Sequence, residues 1–351
     1  YRSDNSGFAW KSIGKFSEPE TTSFFKNLGI YPKDKNGYLY PWSEQASAVR
    51  EALESALKLA KIRIHTGVRV FGIIPKKNGF QISFSKDGKK GMISGEAVIL
   101  AAGSKAAAKL GSDGSGYDLA KMLGHKLVPV VPALVQLRCR EKLYRQVAGV
   151  RTHGKVTVFI DGTETASDIG ELQLTDYGIS GIPVFQLSAA VSEALQTNKK
   201  ISASIDFFPA VPLSKWNEFC CRQYQACCGK HVRFLAQGIL PSKLAQLFIE
   251  RSPLKAQDIV TAANKNAVFS MLQNMRALKT VVIGTNPAQN AQVCTGGISL
   301  QEVTDDLEAK RFPGLYLCGE LLDVDGRCGG YNLQWAWTSG QIAGTAAARE
   351  E

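Results

Sequence analysis

The sequence predicts an α/β protein in which a domain built on a parallel sheet is interrupted by an inserted β unit and a small helical unit. Two apolar segments, residues 97–103 (AVILAAG) and 314–320 (GLYLCGE), predict the sheet. Each ends in small residues, which is typical of buried parallel strands at a ligand-binding edge. Between them, residues 132–212 show strand patterns separated by turns, and residues 213–277 show helical spacing.

Composition narrows the class of protein. The chain has 351 residues, 44% of them apolar and 21% charged, which predicts a globular protein of roughly two or three domains. Several of the eight cysteines lie in apolar segments, and no disulfide scaffold is expected for a chain of this size, so a cytoplasmic location is expected. No apolar run approaches a membrane span. The net charge of +11 is scattered along the chain, which disfavours a nucleic-acid partner.

The first third of the sequence predicts short elements of both kinds. Helices are expected over residues 20–28 and 43–60, the second capped by Ser43 and bearing an apolar face. A strand is expected over 62–66, followed by a hairpin of 68–74 and 79–85.

The middle of the sequence predicts the insertion. After a glycine-rich loop (111–116), whose spacing does not match the dinucleotide fingerprint, strands are predicted at 133–138, 155–160, 171–174 and 201–207. They suggest a small barrel or curved sheet, with a helix over 184–196. Helices at 214–228, 240–251 and 256–274 precede strands at 280–283 and 293–298.

The C-terminal segment predicts a site for a large flat cofactor. The strand ending at Gly319 and Glu320 leads to a glycine-rich turn and then to a helix from about residue 331. Free N–H groups at a helix start attract negative charge or an electron-rich ring edge, and glycine lets a ligand approach the backbone. A lone strand and helix cannot bury their faces, so this segment must return to the first domain.

These patterns give the domain boundaries. A cofactor-binding domain is predicted at 1–131 and 291–351, an inserted β domain at 132–212 and 278–290, and a helical domain at 213–277. No metal site is predicted, because the adjacent cysteine pairs at 220–221 and 227–228 lack a completing histidine or acid. The four histidines are dispersed, and no catalytic residue is predicted.

Several segments resemble a known family. The strand at 98–103 and the Gly319-Glu320 strand are similar to the two later cofactor motifs of flavoproteins with a glutathione-reductase-like Rossmann domain. The long motif GELLDVDGRCGGYNLQ (319–334) is more specific, and GSGYDLAKMLGH (114–125) and TGGIS (295–299) accompany it. Together they resemble the bacterial FAD-binding family of aminoacetone oxidase and BaiN-type NAD(P)/FAD-dependent oxidoreductases.

The resemblance implies FAD as the cofactor and places the site. Val68 would contact adenine, the 101–103 segment the nucleotide, Gly319 and Glu320 the ribityl–pyrophosphate region, and the 329–334 segment the isoalloxazine ring. The implied cofactor-binding residues are Val68, Ala101, Ala102, Gly103, Gly319, Glu320, Asp323, Gly329, Gly330, Tyr331, Asn332, Leu333 and Gln334. Family members open with a βαβ dinucleotide-binding unit, and this N-terminal unit is expected to be missing from the sequence.

The implied function is an FAD-dependent oxidoreductase acting on a small organic substrate. Oxygen and NAD(P)H both remain open as the co-substrate, and no oligomeric state is predicted. The missing βαβ unit motivates an alternative, a truncated non-catalytic relative that serves as a scaffold or an anion-binding module.

Overall fold

The structure is a computed structural model that describes residues 1–349. Its α-helices are α1 (Ser6–Ile13), α2 (Glu18–Asn27), α3 (Ala46–Leu59), α4 (Ser115–Met122), α5 (Tyr144–Val147), α6 (Ile182–Gln196), α7 (Leu213–Cys227), α8 (Val232–Gln237), α9 (Ser242–Glu250), α10 (Lys265–Asn274) and α11 (Tyr331–Ala347). Its strands are β1 (Pro32–Lys35), β2 (Tyr38–Pro41), β3 (Val68–Lys76), β4 (Gly79–Lys86), β5 (Lys89–Gly95), β6 (Val98–Leu100), β7 (Leu127–Ala133), β8 (Leu137–Cys139), β9 (Arg151–Ile160), β10 (Thr163–Leu174), β11 (Gly178–Gly181), β12 (Ile201–Asp206), β13 (Leu278–Thr285), β14 (Val293–Ile298) and β15 (Leu315–Leu317).

The chain folds into two compact units. The first comprises Tyr1–Val131 and Val293–Glu351, and the second comprises Pro132–Gln292. Each unit has a hydrophobic core of its own. The helices α7 to α10 belong to the same compact unit as the inserted strands.

The first unit is centred on the parallel pair β6 and β15. Leu315 pairs with Val98 and Leu317 with Leu100, so the two strands run in register and end together. Their buried leucines pack in one core with Trp335 of α11, whose side chain is fully buried. This unit also contains the three-stranded sheet β3–β4–β5, the hairpin β1–β2, and β14, which pairs with β7. The predicted Rossmann-type α/β class is confirmed.

The second unit contains a closed antiparallel barrel, which confirms the predicted barrel. Its six strands follow the order β10-β11-β8-β13-β12-β9, and β9 pairs with β10 to close it. Side chains alternate in strand fashion: Ile201, Ala203 and Ile205 of β12 are buried, with half-buried residues between them. Closure leaves no free strand edge in the barrel.

Several predicted local elements are wrong. Residues 62–66 form no strand, and the isoleucines there are more than half exposed because no neighbouring strand pairs with them. The predicted 256–274 helix begins only at Lys265, because Thr261 and Asn264 form a capping box that sets a short 3₁₀ turn first. Helix α8 has only six residues, too few for a clear periodic pattern, and was not predicted.

The helix α3 also departs from expectation. It begins at Ala46 with Gln45 as its N-cap residue, whereas Ser43 was predicted to cap it. None of its residues, all within the described part of the chain, is buried. Its apolar face therefore forms a surface of the first unit.

Candidate functional site

The carboxyl ends of β6 and β15 bring the predicted site residues to one edge. The backbone N–H of Cys318 donates to the carbonyl of Leu100 (3.3 Å), so the strands remain paired up to their last residues. The 101–103 segment and Gly319 then leave the sheet side by side. Ala101 is exposed, while Ala102 and Gly103 are half-buried. Ligands bind at such an edge in open α/β sheets.

Glu320 is fixed by two neighbours at this edge. The Ser104 hydroxyl donates to its carboxylate (2.8 Å), and the Tyr117 hydroxyl donates to its backbone carbonyl (3.1 Å). Burial raises the pKa of the Glu320 carboxyl, repulsion from Asp325 adds to the rise, and the Ser104 hydrogen bond opposes it. The half-buried carboxylate is thus held in one place, with oxygen atoms suited to accept further hydrogen bonds.

Gly319 connects the strand end to α11. Its N–H donates to the Ser339 hydroxyl (2.9 Å), and the Trp335 indole N–H donates to its carbonyl (3.0 Å). Both partners are buried side chains on α11. These two bonds fix the distance between the end of β15 and α11. No role was predicted for either side chain from the sequence, because no local pattern indicates the contact.

Asp323 faces the N-terminal segment of the chain. Its carboxylate accepts from the backbone N–H of Asp4 (2.7 Å), and its side chain is almost fully buried. Burial raises the pKa of Asp323 to about 6, and repulsion from Asp4 and Asp325 contributes. Its neighbour Asp325 is buried in an ion pair with Arg2 (Nε–Oδ2 3.0 Å). These acids hold residues 1–5 against the loop that precedes α11.

The turn before α11 is possible only with glycine. Gly329 and Gly330 have φ of +112° and +95°. A Cβ at Gly329 would lie 2.3 Å from the Tyr38 ring, whereas a Cβ at Gly330 would meet no atom within 4 Å. The turn therefore packs tightly on the β1–β2 hairpin on one side and faces open space on the other.

The first residues of α11 hold this turn in place. The Asn332 amide accepts from the N–H of Gly326 (2.8 Å) and donates to its carbonyl (2.9 Å), so it braces the loop and does not cap the helix. The Gln334 amide donates to the Phe16 carbonyl (3.1 Å) and to the Thr21 hydroxyl (2.9 Å). Tyr331 and Leu333 are exposed beside them.

The N-terminal residue also supports the helix start. The Tyr1 hydroxyl donates to the carbonyl of Tyr331 (2.8 Å), and the two rings meet edge to face. Burial raises the pKa of Tyr1 to about 12, with a contribution from Tyr331, so the phenol remains a donor. The 330-residue separation of these partners explains why the sequence alone did not reveal the contact.

Val68 lies at the start of β3, half-buried, next to Arg69. Arg69 forms an ion pair with Asp113 (2.6 Å), and this interaction holds the pKa of the Asp113 carboxyl well below its usual range. The pair connects β3 to the glycine-rich loop before α4, whose Ser112 packs against Gly103. The glycine-rich loop therefore packs beside the segment that follows β6.

Two cysteines near the site, Cys294 and Cys318, are buried thiols. Burial raises the pKa of Cys318 to about 11 and raises that of Cys294, so both remain protonated and unreactive near neutral pH. None of the eight cysteines, all within the described residues, forms a disulfide. Within residues 1–349 no group of three His, Cys, Asp or Glu side chains is placed to hold a metal ion.

Comparison with known families identifies the fold. The model of the HI0933-like protein Rossmann domain matches residues 1–346. This chain belongs to the HI0933-like family. The resemblance to BaiN-type FAD-dependent oxidoreductases is thereby confirmed, and the chain is an oxidoreductase of that family.

The chain is similar over nearly its whole length to three relatives. A 3-dehydro-bile acid delta(4,6)-reductase of Clostridium scindens is 43% identical over 352 residues, covering 99% of this chain and 84% of the relative. Ribosomal RNA dihydrouridine synthases of Haemophilus influenzae and Escherichia coli are 24% and 25% identical over 354 and 347 residues. They cover 100% and 97% of this chain, and 84% and 81% of those proteins.

In the described part of the HI0933-like chain, no helix combines the length and apolarity needed to cross a membrane.

Proposed function

We propose that this protein binds FAD at the ends of β6 and β15 and reduces a carbon–carbon double bond conjugated to a carbonyl in a small organic substrate. NAD(P)H is the proposed source of the electrons. The observation that carries the proposal is the edge where Gly319 and Glu320 leave β15 beside the 101–103 segment and in front of α11.

The residues at this edge fit a flat dinucleotide. Gly319 and Gly330 each have open space within 4 Å of where a Cβ would stand, so a ligand can approach the backbone there. Glu320 would accept hydrogen bonds from the ribityl hydroxyls, and the 101–103 segment would lie along the nucleotide. Val68 would contact the adenine, as the family resemblance implies.

Helix α11 supplies the electrostatics of the proposed site. It begins at Tyr331, beside the glycine turn, and the N–H groups of its first turn have no partner within the helix. The positive end of the helix dipole stabilises negative charge on an electron-rich ring edge. Asn332, Gln334 and Tyr1 keep that helix start rigid through the hydrogen bonds described above.

When bound, FAD supplies a two-electron carrier between the nicotinamide and the substrate. Saturating the double bond requires one hydride, which carries both electrons, and one proton, which comes from solvent or from a side chain. The protein itself would hold the flavin ring next to the substrate double bond and exclude water from between them.

The names of the relatives support reduction over oxidation by oxygen. The 43% identical relative is a reductase of 4,6 double bonds in a compound with a 3-keto group. Dihydrouridine, the product named for the other two, is uridine with two added hydrogens. In each case the double bond is conjugated to a carbonyl, and this shared chemistry is what we propose for the present protein.

The test uses purified protein with FAD under anaerobic conditions. We expect NADH or NADPH to bleach the visible flavin absorption, and a 3-oxo-4-ene steroid to restore it with formation of the saturated ketone. A flavin that is bleached but reoxidised only by oxygen would contradict the reductase assignment. Protein that retains no FAD would contradict the proposed cofactor, and flavin that no nicotinamide reduces would contradict NAD(P)H as the electron donor.

A matched pair of variants locates the cofactor within this test. Glu320→Ala removes the acceptor at the carboxyl ends of the strands, while Glu96→Ala removes an exposed acid just before β6, at the opposite end. We expect the first to weaken FAD binding by about 10- to 100-fold, the value of one to two charged hydrogen bonds. The second should leave it unchanged. Equal affinities in both variants would show that the cofactor lies elsewhere.

A further inference from the structure

An aromatic cavity of about 430 Å³ lies beside the glycine turn, within the first unit. Its walls come from α1, α2, the β1–β2 hairpin, the turn and the start of α11. Aromatic rings dominate the lining, and six of them are Trp10, Phe25, Tyr38, Tyr40, Tyr331 and Trp337. A cavity of this volume suits a drug-sized molecule of several rings.

The rings of this cavity are held in place by one another. Tyr1 meets Trp10 edge to face at 5.3 Å, and Phe25 meets Trp337 at 5.1 Å in the same way. Even so, Trp10 is 56% exposed and Tyr40 is 47% exposed, so large ring surfaces still face the cavity or solvent. Pre-arranged aromatic surfaces of this kind bind flat apolar ligands at low entropic cost.

The charge of the cavity selects among ligands. Glu18 is the one charged side chain among the lining residues, all of which lie in the described part of the chain. A polynucleotide is bound chiefly through Lys and Arg contacts to its phosphates, and neither residue type lines this cavity. The nearby Lys35, whose Nζ lies 5.6 Å from the centre of the Tyr40 ring, is paired with Glu44. The tyrosine hydroxyls of Tyr38 and Tyr40 can instead donate to a carbonyl.

We infer that this cavity is the substrate site and that it takes the fused-ring body of an uncharged or weakly polar enone, such as a steroid with a 3-oxo-4-ene ring. The inference rests on the proposed function, because Gly329 and Gly330 line the cavity and also form the turn proposed to face the flavin ring. A ring system bound in the cavity lies next to that turn. An acidic side chain on the ligand must extend out of the cavity, away from Glu18.

The experiment measures binding separately from catalysis. Equilibrium dialysis with androst-4-ene-3,17-dione and with its saturated analogue 5β-androstane-3,17-dione reports on the cavity, using the FAD-loaded protein. Both steroids should bind, and uridine should not compete. The saturated analogue cannot accept a hydride at a double bond, so its binding does not depend on whether the protein catalyses the reduction.

Two exposed tryptophans provide a matched pair of variants. Trp10 lines the cavity, while Trp42 is 69% exposed and does not. Trp10→Ala should weaken binding of both steroids by about tenfold, the contribution of one ring contact, and Trp42→Ala should not. Tyr40→Ala provides a second cavity variant should Trp10→Ala fail to fold. FAD retention should be equal in all of them.

Each outcome bears on the inference. Absence of steroid binding, or an equal loss in the Trp10 and Trp42 variants, would overturn it. Loss of FAD in Trp10→Ala would instead place the flavin ring in the cavity and also overturn it. Steroid binding that depends on Trp10, without any reduction of the enone, would support the cavity assignment while refuting the proposed reaction.

Discussion

The Asp323 carboxyl is buried, which disfavours its ionised form. It accepts a backbone hydrogen bond from Asp4, but burial and two neighbouring acids raise its pKa to about 6. Because the folded state raises this pKa, it binds the proton more tightly than the unfolded chain does. The favourable contribution of protonated Asp323 to the free energy of unfolding is therefore present at low pH. It is lost as pH rises from about 4 through about 6.

Asp323→Asn should consequently become more stable relative to the native protein as pH rises. We expect the difference in free energy of unfolding to move in favour of the variant by about 1 kcal/mol or more between about pH 4 and pH 7. Urea unfolding at several pH values measures it. Asp87→Asn, in an exposed turn, should show no such trend. A parallel pH dependence in the two variants would mean that Asp323 is not the group responsible.

Single residues also show how far the sequence can be interpreted. The family motif located Asp323, Asn332 and Gln334 in the loop and helix start, but it did not reveal what they contact. Asp4, the partner of Asp323, and Phe16 and Thr21, the partners of Gln334, lie more than 300 residues away along the chain, whereas Asn332 bonds the nearby Gly326. No local spacing encodes such contacts, because they arise only when the C-terminal segment packs on the N-terminal one.

At the scale of elements, the start of α11 depends on one amide. Asn332→Ala removes the hydrogen bonds that Asn332 makes to both backbone groups of Gly326. We expect it to lower stability by about 1–3 kcal/mol and to weaken FAD binding, because the turn at Gly329 and Gly330 loses its brace. Gln341→Ala, exposed further along the same helix, is the control.

Thermal melting and FAD titration measure the two effects of Asn332→Ala. If the variant melts earlier but binds FAD normally, the loop is braced for stability alone. A side chain at Gly330 is a less informative test, since its φ of +95° strains any residue other than glycine.

Elements whose own sequence has a strong apolar pattern were predicted correctly. Segments whose structure depends on a neighbouring strand were not. The strands β6 and β15 are continuous apolar runs, and the hairpin β3–β4 alternates as a half-buried sheet does. The segment 62–66 has equally β-branched residues, but it has no strand beside it, so it stays irregular. The amphipathic pattern of α3 predicted a helix correctly, yet its apolar face is not buried.

At the scale of the whole molecule, the positive charge is divided unequally between the two units. The second unit has 18 Lys and Arg against 11 Asp and Glu, and the first unit has 24 against 20. The excess in the second unit includes Lys199 and Lys200 in an exposed turn. Such a charge attracts any polyanion weakly, and it raises the question of RNA because two relatives are named for ribosomal RNA.

We expect no specific RNA binding. No Lys or Arg lines the aromatic cavity, and the adjacent Lys35 is paired with Glu44, so mainly the diffuse charge of the surface remains to attract RNA. Binding of a labelled uridine-containing hairpin should therefore be weak and should fall steeply between about 50 and 200 mM salt, as counterion release requires. Lys199→Glu with Lys200→Glu should weaken it equally for every RNA sequence and leave steroid reduction unchanged. Tight binding that persists at physiological salt, with conversion of uridine in the hairpin, would identify RNA as the substrate and exclude the steroid-like ligand.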